Sequence, residues 1–414
     1  MRLKGKDETA RVEQSFIATQ RAQQPAPLQC HLMRVAVSTI GKFHSFDLAR
    51  QMHKRGALAS IFSGYPWFKL KTDGLPKQKV KTFPYLHAPY MRLAPRCTSA
   101  RLLWEWQDRV WFDRYVARHL PPCDVFCGLS GSALRTGLVA KSQGAKYVCD
   151  RASSHIRFHD RILREEYDRQ GIAFSGIDPR IISREEAEYQ AADVITVPST
   201  FVLNTFIEAG VARNKMRLAP YGVDLNRFHP CALRSDDAFR ILFVGGVSVR
   251  KGISYLLNAF QQLQCRNKQL ALVGSVSREV ENILKPLRHN AAISVIGHVP
   301  QERLKEIMSV SHVMVLPSVE EGLAYVQAQA MACGCPVIAS QNTGADDLFE
   351  DGKEGFIVPI RDTEAITERL QRLADNPDLR SQMGALALER VKSIGGWEQY
   401  GARMYQIFSE PNTP

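Results

Sequence analysis

From Met33 onward the chain alternates short apolar runs with segments whose apolar residues return every three to four positions, the pattern of parallel α/β layers. MRVAVS (33–38) predicts a strand, followed by the turn TIGKF and an amphipathic helix over HSFDLARQMHKRG (44–56). DVFCGLS (124–130), AKYVCD (145–150) and DVITVPS (193–199) predict further strands, with helices over 183–192 and 200–211. YGVDLNRFHP (221–230) and the polar CALRSDDA after it break the pattern and predict an interdomain linker. A second series then begins, with strands at 240–247, 269–275, 293–299, 313–318, 335–340 and 355–359. Its helices are expected at Ile253–Leu263, Thr363–Asp375, Asp378–Ser393 and 396–408. The expected fold class is α/β: two Rossmann-like, doubly wound parallel-sheet domains, 33–225 and 226–395, facing a central cleft. In such sheets ligands bind outside the C-terminal ends of the strands. Residues 396–414 are expected to form a C-terminal helix that packs back on the first domain. Residues 1–32 are polar, contain QQPAP and show no sustained periodicity, so a disordered extension is expected there, with Met33 a candidate translation start.

Length agrees with two domains, since 414 residues exceed what one core usually supports. No apolar run approaches the roughly 18 residues of a membrane span, and the beginning lacks the basic-then-apolar pattern of a secretory signal. Nine cysteines show no paired zinc spacing and suit a reducing cytosol. Charge is uneven. The net +12 is the sum of +15 over residues 1–250 and −3 over 251–414, and residues 34–120 alone carry 16 basic against five acidic side chains. That segment also holds GYPWFKLK (64–71), KQKVKTFPY (77–85) and WEWQDRVWFDRY (104–115). Lysine and arginine interleaved with aromatics suit an anionic membrane surface or a polyanionic substrate; a solvated basic face without a partner is the plainer alternative. No nucleic-acid-binding signature accompanies the charge.

The chemistry concentrates in EEGLAYVQAQAMACGCPVIAS (320–340). An acidic pair and a glycine are expected to turn strand 313–318 into a helix running to about Ala332. A helix start attracts phosphate oxygens through its free N–H groups and its dipole. Carboxylates suit the vicinal hydroxyls of a sugar instead. Gln329 lies eight residues beyond Glu321, a little over two helical turns, so both can face one cleft. Glu320 and Glu321 could also do no more than stabilise the helix dipole.

SVEEGLAYVQAQAMACGCPVIAS resembles the signature of the retaining glycosyltransferases of family 4: an acidic residue, seven residues, a second acidic residue, then Ala-Met-Ala, a glycine and Pro-Val-Ile. FVGGVSVRKGISYLLNAF (243–260) and GADDLFEDGKEGFIVP (344–359) fall in the family's order, as do EYQAADVITVPSTFVLNTFIEAGV and LAPYGVDLNRFHP. The resemblance runs from Met33 to the C-terminus and implies the two-domain GT-B fold. It also implies transfer of a sugar from a UDP- or GDP-sugar, with the first domain meeting the acceptor and the second holding the donor. Glu321 would bind donor-sugar hydroxyls. Gln329 stands where the family carries the acid for the ribose diol. Lys251 matches the lysine that meets the diphosphate, whereas the matching arginine position is Gly246, and Arg250 is the nearby substitute. Gly322 and Leu323 would lie at the phosphate end. Gly297, His298 and Val299 match a turn that meets the nucleotide base through its backbone.

In the first domain, Gly41 matches a sparse version of the family's glycine loop. His44 is a candidate on the acceptor side, or an exposed helix-start histidine. His155, after strand 145–150 and expected to face the cleft, matches a histidine near the reacting carbon of the donor. His159, four residues on, could pair with it on zinc, but no third ligand is evident. The chain has no Asp-x-Asp, Gly-x-Gly-x-x-Gly or P-loop sequence, so a metal-free transferase without a cofactor is expected rather than a nicotinamide enzyme or NTPase. The acceptor expected from the basic, aromatic first domain is a lipid-linked saccharide in polysaccharide or O-antigen assembly. The expected location is the cytoplasm, peripheral at the inner face of the membrane. The substituted positions 246 and 329 also fit a catalytically silent sugar-nucleotide-binding protein, and the charge a peripheral membrane or polyanion-binding scaffold.

Overall fold

The computed structural model describes residues 32–93, 97–235, 237–287 and 290–411. Up to residue 31, the expected N-terminal extension lies outside the described residues. From Arg34 onward the chain forms one compact unit.

That unit contains two parallel sheets. The first is built from β1 (Val35–Thr39), β2 (Leu58–Ser63), β3 (Val80–Thr82), β4 (Val125–Leu129), β5 (Lys146–Asp150), β6 (Val194–Val197) and β7 (Met216–Leu218), in the order β3-β2-β1-β4-β5-β6-β7. The second comprises β8 (Phe239–Val244), β9 (Lys268–Val273), β10 (Ile293–Gly297), β11 (Val313–Leu316), β12 (Val337–Ser340) and β13 (Gly355–Val358), in the order β10-β9-β8-β11-β12-β13. Each order reverses once, between β1 and β4 and between β8 and β11, which is the doubly wound topology with its ligand crevice at the reversal. Strands covered on both faces read as nearly continuous apolar runs, and β1, β4, β5, β11 and β12 are buried along their whole length.

Three of the helices begin where short polar side chains cap them. Asp178 caps Pro179–Ala191, Ser199 caps Thr200–Glu208 and Asp362 caps Thr363–Asp375, each accepting a backbone N–H of the first turn. Helices absent from the sequence reading include Pro84–Leu93 and Thr98–His119. The second of these changes the picture of the aromatic segment 104–115. Phe112 is fully buried, Trp106 lies under the guanidinium groups of Arg180 and Arg184, and Trp104 packs edge-on to Tyr90. Of its tryptophans, Trp111 alone is exposed.

One helix crosses between the halves. Ile156–Arg169 follows β5 of the first sheet, yet Ile162 belongs to the apolar core of the second, with Phe158 and Tyr167 packed against it. Polar contacts reinforce the crossing: Tyr255 Oη donates to Glu166 at 2.7 Å, Arg361 Nε to Glu166 at 2.7 Å, and Tyr167 Oη to Glu279 at 3.0 Å. The helix Trp397–Ser409 returns to the first half and packs on Ser45–Lys54. Gly401 is required there, since a Cβ would lie 2.4 Å from that of Gln51. Lys146 Nζ donates to the carbonyls of Ile407 and Phe408 at 3.3 and 3.2 Å.

Candidate active site

Both reversal points present loops to the space between the sheets, and the loops at the second one carry the charged candidates. After β8, residues 245–252 turn into helix Ile253–Gln262 and place Arg250 and Lys251. Gly252 makes the turn possible: its φ is +66°, and a Cβ would fall 2.0 Å from the carbonyl oxygen of Pro317. After β11, residues 317–325 cross the same space before helix Val326–Ala332 begins. The Val319 N–H donates to the Arg250 carbonyl at 2.9 Å and ties the two loops together.

Glu321 is the centre of this arrangement. Its carboxylate pairs with Lys251 Nζ at 2.5 Å and with Arg250 Nη1 at 2.9 Å. The proximity of Glu321 raises the Arg250 pKa above its ordinary value, against the opposing effect of burial. Two cations held by one carboxylate can release it to sugar hydroxyls and turn to a diphosphate.

The sequence reading is corrected at several positions. The helix starts at Val326 rather than beside the acidic pair, because residues 321–324 form no regular structure and bend at Gly322 within the crossing loop. Gly322 is approached by protein rather than by empty space: a Cβ would lie 1.8 Å from the Ala152 carbonyl of the first half, and its own carbonyl accepts from Ser199 Oγ at 2.6 Å. Leu323 is buried.

His155 does not face the cleft. It caps helix Ile156–Arg169, with Nδ1 accepting the Arg157 N–H at 3.3 Å, and its ring packs against Tyr189 and Phe206. Burial, then the nearby Arg151, push its pKa down to about 4. One helical turn on, His159 reaches the second half: its Nε2 is 3.4 Å from the buried Glu320 carboxylate. His44 is enclosed rather than exposed, with Nε2 2.6 Å from Asp150 Oδ2 and its ring on Tyr221. Gly41 lies in the turn after β1, its carbonyl accepting from Ser63 Oγ at 3.1 Å.

Gln329 is half-buried in helix Val326–Ala332. Gly297 ends β10, the edge strand, with β9 and β8 between it and the reversal point; its φ is +77° and its carbonyl accepts the Gly274 N–H at 2.8 Å. His298 is exposed and Val299 half-buried. The structure therefore brings Glu321, Arg250 and Lys251 together.

Residues 238–376 match the family of group 1 glycosyl transferases. Among curated proteins, D-inositol 3-phosphate glycosyltransferase of Paenarthrobacter aurescens is 29% identical over 259 residues, 57% of this chain and 62% of the relative. The GDP-mannose-dependent monoacylated α-(1-6)-phosphatidylinositol monomannoside mannosyltransferase of Corynebacterium glutamicum is 29% identical over 242 residues, 53% of this chain and 63% of the relative. The matched part thus spans about three fifths of these curated relatives. Among solved structures, Anabaena HepE in complex with UDP superposes with a TM-score of 0.69 at 15% identity, covering 91% of this chain and 100% of that one. The fold is the two-domain GT-B architecture.

Proposed function

We propose that the protein is a retaining glycosyltransferase that moves a sugar from a nucleoside diphosphate sugar to an acceptor hydroxyl. The observation that carries this is the Glu321–Lys251–Arg250 cluster at the reversal point of the second sheet. Glu321 binds donor-sugar hydroxyls, and the two cations bind the diphosphate. As transfer proceeds, the bond between the anomeric carbon and the β-phosphate oxygen breaks, and the acceptor oxygen bonds to that carbon on the same face. The acceptor proton passes to the departing β-phosphate oxygen, and Lys251 and Arg250 stabilise the charge that collects there. With two cations in this role the reaction needs no metal. The relatives named as glycosyltransferases, and UDP bound in the superposed HepE structure, support this class of donor. Gln329 serves the ribose through an amide that donates and accepts without charge.

The acceptor is a lipid-linked saccharide met at the cytoplasmic face of an anionic membrane. Phe68, Tyr85, Met91, Leu93, Leu103 and Trp111 are all exposed within a stretch rich in lysine and arginine, a composition that suits insertion beside acidic headgroups. Among the described residues no helix is long and apolar enough to cross a membrane. The test is nucleoside diphosphate release from UDP- and GDP-sugars, with and without EDTA, by the purified protein. Release that survives EDTA supports a metal-free transferase. Binding of a sugar nucleotide without turnover, with or without acceptor lipids, would favour the silent alternative that Gly246 and Gln329 raise.

A further inference from the structure

Glu320, beside the residue assigned to the donor sugar, is fully buried and touches both halves of the molecule. Its Oε1 accepts from Ser153 Oγ at 2.6 Å, Ser154 Oγ at 2.8 Å and the Ser154 N–H at 3.0 Å, all from the loop after β5. Its Oε2 faces Arg250 Nη1 and His159 Nε2, each at 3.4 Å. Arg250 Nη1 donates as well to the Glu320 backbone carbonyl at 2.9 Å. Stabilising a helix dipole does not explain the residue, because the helix begins six positions later and the dipole effect fades within the first turn. A buried carboxylate is costly unless hydrogen bonds and cations surround it, and here both do.

We infer that Glu320 is a positioning residue for Arg250, one that ties the placement of that cation to the approach of the 151–154 loop. The inference rests on the transferase assignment. When Glu321 turns to the donor sugar, Arg250 gives up its 2.9 Å partner. The Glu320 carbonyl and carboxylate remain to hold the guanidinium at the diphosphate. The serines of the other half hold the Glu320 side chain in turn, so the carboxylate's hold on Arg250 depends on the contact between the two halves. Gly322 belongs to the same device, since its missing side chain lets the Ala152 backbone come close enough for Ser153 and Ser154 to reach.

The test compares Glu320→Gln, the pair Ser153→Ala with Ser154→Ala, Arg250→Ala, and Glu320→Gln combined with Arg250→Ala. The readout is steady-state release of nucleoside diphosphate from UDP-glucose, UDP-N-acetylglucosamine and GDP-mannose, with folding followed by thermal melting. Losing a direct contact to transition-state charge costs about 10²-fold in kcat, so a misplaced Arg250 should cost roughly 10-fold. Glu320→Gln and the serine pair should each lower kcat by about that factor, with donor KM changed less than about threefold. In the Arg250→Ala background Glu320→Gln should cost nothing further. A merely structural Glu320 would instead lower the melting temperature and give multiplicative losses with Arg250→Ala, overturning the inference. Should Glu320→Gln fail to fold, the serine pair decides, and wild-type kcat there overturns it as well. A wild-type protein that neither binds UDP or GDP nor turns over any of the three donors overturns the transferase assignment itself, and the role of Glu320 with it. An active wild type with unaffected variants overturns the role alone.

Discussion

Replacing Glu321 by alanine should push two measurements in opposite directions. In the free protein this carboxylate neutralises Lys251 at 2.5 Å and Arg250 at 2.9 Å. Any nucleoside diphosphate must compete with it for both cations. A charged hydrogen bond contributes about 1.5–3 kcal/mol. The Arg250 side chain is a third exposed, 34%, so solvent screens its share and about 1–2 kcal/mol is a reasonable total for the competition. Removing the carboxylate should then tighten UDP or GDP binding by roughly 5- to 30-fold, a factor of ten being about 1.4 kcal/mol. The gain should shrink with added salt, which screens partly exposed charges. Sugar transfer should fall by at least about 10²-fold, because Glu321 no longer engages the donor hydroxyls. Isothermal titration with UDP and GDP at two salt concentrations, paired with a transfer assay, measures both. Weaker nucleotide binding together with wild-type transfer would refute the reasoning.

Three further outcomes are expected. Gly246→Arg should be accommodated, since a Cβ there meets nothing within 4 Å; it should lower the donor Kd by about tenfold through a charged contact to phosphate, as titration would show. His155 is buried with its pKa lowered to about 4, so below about pH 6.5 the unfolded chain takes up a proton that the folded one refuses. Stability should therefore fall as pH drops through the window from 6.5 to 4. Between pH 7.5 and pH 5, urea unfolding should show wild type losing about 2 kcal/mol more than His155→Asn, which keeps a capping acceptor. Phe68→Ser with Tyr85→Ser should weaken cosedimentation with vesicles rich in phosphatidylglycerol by tenfold or more, each exposed aromatic adding about 1.5 kcal/mol of burial in the bilayer interface, while soluble donor hydrolysis stays unchanged.

The second sheet was the more legible part of the fold, because all six of its strands are largely apolar runs in sequence, including β10, which is exposed along most of its length. β2, β3 and β7 went unread, the last two being only three residues long. The aromatic segment 104–115 shows a deeper limit. Composition placed its tryptophans at a surface, whereas the fold buries Phe112 and covers Trp106 with arginines. Amphipathicity likewise shows that Ile156–Arg169 has an apolar face without saying which half receives it. The same ambiguity covers the histidines: His155 and His159 lie one turn apart, and only the packing shows that the first meets Tyr189 and Phe206 while the second meets Glu320. In the site, Glu321 was visible from its place between strand and helix, and Lys251 and Arg250 from the family resemblance. Glu320, Ser153 and Ser154 were not, since their bonds join residues more than 160 positions apart. The adjacent pair of acids was the available signal, and it could not say which faces the ligand and which the opposite loop.

The central claim is that the Glu321 cluster receives a nucleoside diphosphate sugar without a metal. Thermal melting of the purified protein against UDP, GDP and their sugar conjugates, with and without EDTA, tests it most directly. Saturation at a hundred times Kd adds about 2.7 kcal/mol of stability. One nucleotide family should raise the melting temperature equally in both conditions, and Lys251→Ala should abolish the rise. No stabilisation by any of them, or a rise that EDTA removes, would contradict the claim.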